Sequence, residues 1–155
     1  MRYHWIGLGG VAALIVAIWY SHAEEQRATA TRDDAALTKH GEYLVNNVAH
    51  CGHCHTPPND KGEPDTARFL QGGKLTIKPK DEKTSWAGEA PDITMNGLAS
   101  RWTAEGMTKF LMTGEPPEGH KPVAPMPVYR LNNDDARAVT LYLRSLTGKK
   151  APKPD

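Results

Sequence analysis

A chain of 155 residues has room for one domain plus an appendage. Its residues are 39% hydrophobic and 7% aromatic, a thin core for that length, and 14 glycines with 12 prolines point to long irregular segments. The net charge of +1, with basic and acidic groups nearly balanced, argues against a nucleic-acid-binding surface.

Residues 1–23 read as a targeting or anchoring element. Met1-Arg2-Tyr3-His4 is a short, weakly positive lead, and Ile6 to Tyr20 is an unbroken run of apolar, glycine and aromatic residues. Two outcomes fit it. Ser21-His22-Ala23 has the small-x-small pattern of a signal-peptide cleavage site before Glu24. If retained, the stretch from Tyr3 to Tyr20 approaches the roughly 20 residues of a transmembrane helix. Trp5 at one end and Trp19-Tyr20 at the other then match two aromatic belts, and Arg2 opposed to Glu24-Glu25 orients the domain outward. Both outcomes carry the rest of the chain out of the cytoplasm. Residues 24–38 are polar and alanine-rich and read as a tether with helical potential that holds the domain off the membrane.

The first domain helix is expected over 37–50, with Tyr43, Leu44, Val48 and Cys51 near helical spacing on one apolar face. It leads into Cys51-Gly52-His53-Cys54-His55, which contains the chain's two cysteines. Cysteines at i and i+3 followed at once by histidine form the attachment pattern for c-type haem. Two thiols add across the two vinyl groups of one haem, and the histidine is held under the iron as an axial ligand. Competing readings explain less. A redox dithiol lacks a thioredoxin-like context and leaves His55 without a role. A closed zinc site draws a second ligand pair from well downstream, and no CxxC or HxxxH occurs there. A covalent haem also supplies the large apolar body that the composition lacks. The motif occurs once, which implies one haem.

Pro57-Pro58 closes the attachment turn. Residues 59–90, with Gly62, Pro64, Gly72-Gly73, Pro79 and Gly88, read as a long loop of the kind that usually has a function. It is expected to wrap one haem face through Leu70, Leu75, Ile77 and Trp86, with the charged stretch 78–83 as a solvated rim. A second helix is expected from Thr103 as N-cap, with Glu105 in its first turn, Met107, Phe110 and Leu111 on its apolar side, and Gly114 ending it. Residues 115–129 form a proline-rich extended loop. The last helix is expected from Asn132 or Asn133, with Asp135 early in it, a buried stripe of Ala138, Val139, Tyr142, Leu143 and Leu146, and Gly148 as stop. Residues 149–155 read as a flexible tail.

The iron's sixth ligand is sought among the methionines. Met126 stands between Pro125 and Pro127, which remove backbone donors and fix φ on both flanks, so its thioether sits on a stiff segment. Met107 and Met112 fall on a predicted helix, where packing explains them; Met95 and His120 are loop rivals. A Met/His pair raises the reduction potential and fills both axial positions, which favours electron transfer over gas or peroxide chemistry.

Four motifs in order now resemble class I cytochromes c over residues 39–147: Gly41-Glu42-Tyr43-Leu44, then Cys51-Gly52-His53-Cys54-His55-Thr56-Pro57, then Pro125-Met126-Pro127, and Ala138 to Leu146. Within that family the chain is similar to the haem domains of cytochrome subunits that accept electrons from periplasmic dehydrogenases. Pro91-Asp92-Ile93-Thr94 and Trp102-Thr103 resemble segments of those domains near the haem. The resemblance implies an all-α class I cytochrome c fold in residues 39–148. Its first and last helices cross at Gly41, with an aromatic contact between Tyr43 and Tyr142. It further implies thioethers at Cys51 and Cys54, His55 and Met126 as the axial pair, and a haem propionate partner in Trp102 or Arg101. The expected role is a non-enzymatic electron carrier, anchored on the periplasmic side of a bacterial inner membrane or soluble in the periplasm. Its donor would be a dehydrogenase or quinol-oxidising complex, and its acceptor an oxidase or another cytochrome. The alternative is a haem enzyme or gas-binding protein with a displaceable sixth ligand.

Overall fold

The computed structural model describes residues 8–119 and 121–147, with side chains described at Trp19 and from His22 onward. The chain divides into two units, residues 1–36 and 37–155. The first contains most of helix α1 (Leu8–Tyr43). The expected tether is therefore helical, and its residues are almost all exposed. There Thr29 and Thr31 donate their hydroxyls to the carbonyls of Glu25 and Arg27, four residues back. Among the described residues no helix is long and apolar enough to cross a membrane. Residues 1–7, the start of the expected leader, lie outside the described residues, as do Gly148 and the tail.

In the second unit α1 widens into a π-helical segment (Leu44–Val48), followed by the short α2 (Gly52–His55). Then come a 3₁₀ turn (Thr66–Arg68), a two-residue antiparallel ladder of β1 (Gly73–Lys74) and β2 (Glu89–Ala90), α3 (Leu98–Arg101), α4 (Ala104–Thr113) and α5 (Asn133–Ser145). The framework is helical as expected, and the small ladder is the exception to an all-α reading.

Local signals explain the two longest helices of this unit. The Thr103 hydroxyl accepts from the N–H of Gly106 at 3.0 Å, capping α4. Gly114 ends α4 at φ 78°, where a side chain would be strained and would also strike Val128. Asn132 caps α5 by accepting from the N–H of Asp135 at 2.9 Å, and Asp134 and Asp135 complement the helix dipole. The predicted stripe of Ala138, Val139, Tyr142, Leu143 and Leu146 is buried.

Packing follows from that stripe. A Cβ on Gly41 would overlap the carbonyl of Ala138 and the Cβ of Tyr142, so glycine sets how closely α1 approaches α5. The His40 imidazole meets the Asp135 carboxylate at 2.7 Å beside this crossing. Thr108 and Thr140 join α4 to α5 through their hydroxyls at 3.0 Å. Arg144 donates from α5 to the carbonyls of Ala99 and Trp102, which holds α3 in place.

Two expectations for the first helix are corrected. Leu44 and Val45 are its buried pair, whereas Tyr43 and Val48 are more than half exposed. The π-helical segment breaks the 3.6-residue period, so spacing counted across it picks the wrong face. Tyr43 precedes that segment, and its ring lies against His40 one turn back and not against Tyr142. Tyr142 is buried, and its hydroxyl lacks a well-formed hydrogen bond although Asn46 lies near it.

Candidate functional site

The attachment motif folds as one tight turn. His50 takes φ 51° and reverses the chain after the π-helical segment. The N–H groups of Cys54 and His55 then both reach the carbonyl of Cys51, at 3.3 and 2.9 Å. Both cysteines are unpaired and half-buried. Burial pushes the Cys51 thiol up to about 11. A dithiol redox centre or a zinc thiolate calls for the opposite shift, so the environment suits a thiol consumed in a thioether.

His55 is buried, and its Nδ1 lies 2.8 Å from the carbonyl of Pro91. A carbonyl only accepts, so Nδ1 carries the proton and Nε2 keeps its lone pair. Burial lowers the pKa below the ordinary value of 6.5, against weaker opposing effects of the Pro91 hydrogen bond and the Asp92 charge. The neutral, Nε2-basic imidazole that an iron ligand requires is thus set before any metal is considered. Asp92 fixes the turn behind it, accepting from the N–H and hydroxyl of Thr94 at 2.8 and 2.7 Å.

Cys51, Cys54 and His55 open onto a cavity of about 900 Å³ with mostly apolar walls, near the upper end of small-ligand sites. The segment after α4 contributes Val123, Met126 and Tyr129; α3 and α4 contribute Leu98, Met107 and Leu111; α5 contributes Val139 and Leu143. Every residue predicted for the site lines it: Cys51, Cys54, His55, Met126, Trp102 and Arg101. Trp102 is buried with its ring edge-on to Phe110, centroids 5.2 Å apart, while Arg101 is exposed. The size, the apolar lining, the unpaired cysteines and the histidine tautomer fit a haem.

Other expectations moved. Leu70, Leu75, Ile77 and Trp86 do not line the cavity. Leu70 is fully buried behind the attachment turn, where its N–H donates to the Thr56 hydroxyl and its carbonyl accepts from Ile93. Ile77 is half exposed, and its carbonyl accepts from the Trp86 indole. From that loop it is Ala87 and Glu89 that reach the wall. Residues 78–83 are mostly exposed, as a solvated rim should be. Among the rival ligands, Met107 also lines the cavity but is 2% exposed within the core, and Met95 and Met112 do not line it. His120 lies outside the described residues.

Sequence reasoning placed Pro91 near the haem through the resemblance without giving it a role, and gave none to Tyr129 or Arg144. Pro91 and Arg144 act on or through main-chain carbonyls, which side-chain chemistry does not announce. Tyr129 had one available signal, its place three residues after Met126.

A profile of the family described as Cytochrome c matches residues 38–147. The chain belongs to the cytochrome c family, electron-transfer proteins that carry covalent haem c. It is 33% identical over 117 residues to a diheme cytochrome c-type protein of Cereibacter sphaeroides, covering 72% of this chain and 36% of that one. It is 32% identical over 118 residues to the fructose dehydrogenase cytochrome subunit of Gluconobacter japonicus, with 70% and 22% covered. It is 32% identical over 114 residues to the cytochrome c subunit of a quinone-dependent alcohol dehydrogenase of Gluconobacter oxydans, with 68% and 23% covered. The chain thus spans between about a fifth and a third of the length of these relatives.

Proposed function

We propose that this chain is a monohaem electron carrier, with the haem held by Cys51 and Cys54 and the iron ligated by His55 and Met126. The observation that carries the reading is the convergence of those four side chains on one apolar cavity. A single haem is supported by the single attachment motif. Bound haem supplies the one-electron chemistry. His55 offers a neutral Nε2 whose direction the Pro91 carbonyl sets. The Met126 thioether would hold the bound iron and favour its reduced form, which would leave no open position for oxygen or peroxide. The apolar walls keep the local dielectric low, and Arg101 and Trp102 at the wall are the proposed propionate partners.

Relatives named as cytochrome subunits of dehydrogenases support a dehydrogenase or quinol-oxidising complex as donor and an oxidase or second cytochrome as acceptor. The apolar stretch up to Tyr20 supports export to the periplasm, as a retained anchor or a cleaved leader. An intact mass of the natural product beginning at Glu24 would refute the anchor.

The test of the site is spectroscopic. Purified protein should keep its pigment in acidified organic solvent, and the ferric form should show the weak far-red band of sulfur ligation. Carbon monoxide should bind poorly to the ferrous form. Met126→Ala should abolish the band and Met107→Leu should keep it; the reverse outcome reassigns the ligand to α4. Rapid carbon monoxide binding by the unsubstituted protein would favour the enzyme or sensor alternative. Affinity capture of the solubilised native protein should bring down a dehydrogenase subunit.

A further inference from the structure

The segment carrying Met126 has little backbone pairing, a single parallel bridge between Ala124 and Trp86. Pro122, Pro125 and Pro127 remove three of its N–H donors. On its near side, the N–H of Ala87 donates to the carbonyl of Ala124 at 2.7 Å; on its far side, the N–H of Leu131 reaches Leu111 at 3.3 Å. Between those ties Met126 makes only a local turn, its N–H donating to Val123 at 3.2 Å. Tyr129 adds side-chain ties between this stretch and the rest of the domain, one of them to the Cys51 sulfur. The Tyr129 hydroxyl donates to the carbonyl of Ala49 at 3.0 Å, across 80 positions of sequence.

The acceptor needs that donor. Ala49 ends the π-helical segment, with its own N–H on Leu44. The next residue, His50, leaves helical space at φ 51°, so no following turn supplies an N–H to the Ala49 carbonyl. A half-buried phenol that also lines the cavity takes that place. It ties the segment bearing one proposed ligand to the residue two before Cys51, where the segment bearing the other begins.

We infer that Tyr129 is a positioning residue: its hydrogen bond to Ala49 latches the Met126 segment over the haem site and limits how often the sulfur leaves the iron. The inference rests on the reading of Met126 as a ligand. Loss of one such bond raises the population of the opened segment about five- to tenfold.

Tyr129→Phe keeps the ring and its packing and removes only the donor. The measurement is the limiting rate at which saturating imidazole replaces the sulfur ligand in the ferric holoprotein, because that rate reports opening of the segment. The expected result is a rise of about five- to tenfold, with haem attachment complete and the resting far-red band retained. Lys121→Met is the control. It removes an exposed ion pair to Glu115 (2.6 Å) beside the same segment and should leave the rate within about twofold. An unchanged rate in Tyr129→Phe would overturn the latch, as would equal acceleration in Lys121→Met. A far-red band that survives Met126→Ala would instead overturn the ligand reading, and the latch with it. The two failures are thus read from different variants.

Discussion

Around α5 the domain is held by side chains; around the haem site it is held largely by its own backbone. Ala138, Val139, Tyr142 and Leu143 bury one face of a helix against Gly41 and α4. By contrast, residues 56–97 and 115–131 are joined by main-chain bonds between segments far apart in sequence: Gly72 to His55, Ile93 to Leu70, Ala87 to Ala124. The first kind of region is stable because apolar area leaves water. The second satisfies its polar groups but contributes fewer buried side chains, so it depends on what fills the cavity between it and the helices.

The sharpest way to break this contrast is to remove the cofactor's attachment. Replacing both Cys51 and Cys54 by Ser should eliminate covalent haem entirely, seen as pigment lost to acidified solvent. Amide hydrogen exchange should then rise first in 56–97 and 115–131 and later in α5; equal protection in both regions would erase the distinction. Next in size is Gly41→Ala, which forces a methyl into the α1–α5 contact. A loss of about 1–3 kcal/mol in urea unfolding is expected, with the haem spectrum unchanged at rest. Smaller again is Asn132→Ala, which removes the α5 cap and should cost about 1 kcal/mol, measured the same way.

Last comes a pH effect that is nil near neutrality. Burial raises the Tyr142 phenol above its ordinary 10.0 and the Tyr129 phenol to about 12. Cys51 and Cys54 add to the Tyr129 shift, but burial is the larger cause and persists when both sulfurs are thioethers. A folded value above the unfolded one means that the stabilisation is complete below pH 10. It declines as pH rises through the folded value. Stability should therefore fall between about pH 10 and 12, and Tyr129→Phe should flatten that fall.

The same contrast decides what could be read in advance. Thr103, Gly114 and Asn132 announce helix ends through local chemistry, and α5 carries its periodic stripe openly, so those elements were legible. The meeting of Cys51, Cys54 and His55 at one cavity was legible because the attachment motif fixes their spacing, and the place of Met126 on its wall because two prolines frame it. Leu70 was misplaced because apolar character says that a residue is buried, not on which side of a turn. Val48 was misplaced because one π-helical turn shifts the face, which nothing in Leu44–Val48 marks, and Tyr43 because it stands two residues from Gly41, off the buried face of α1. Pro91 and Ala49 act through carbonyl oxygens common to every residue type.

One of these carbonyls steers the histidine of the attachment motif. Its ring is aimed by a main-chain oxygen at position 91, and no side-chain replacement there deletes that oxygen. The imidazole is therefore insulated from sequence drift at the very residue that steers it. Its exposure to drift lies one step further out, at Asp92 and Thr94, whose short mutual contacts hold the turn that presents the oxygen.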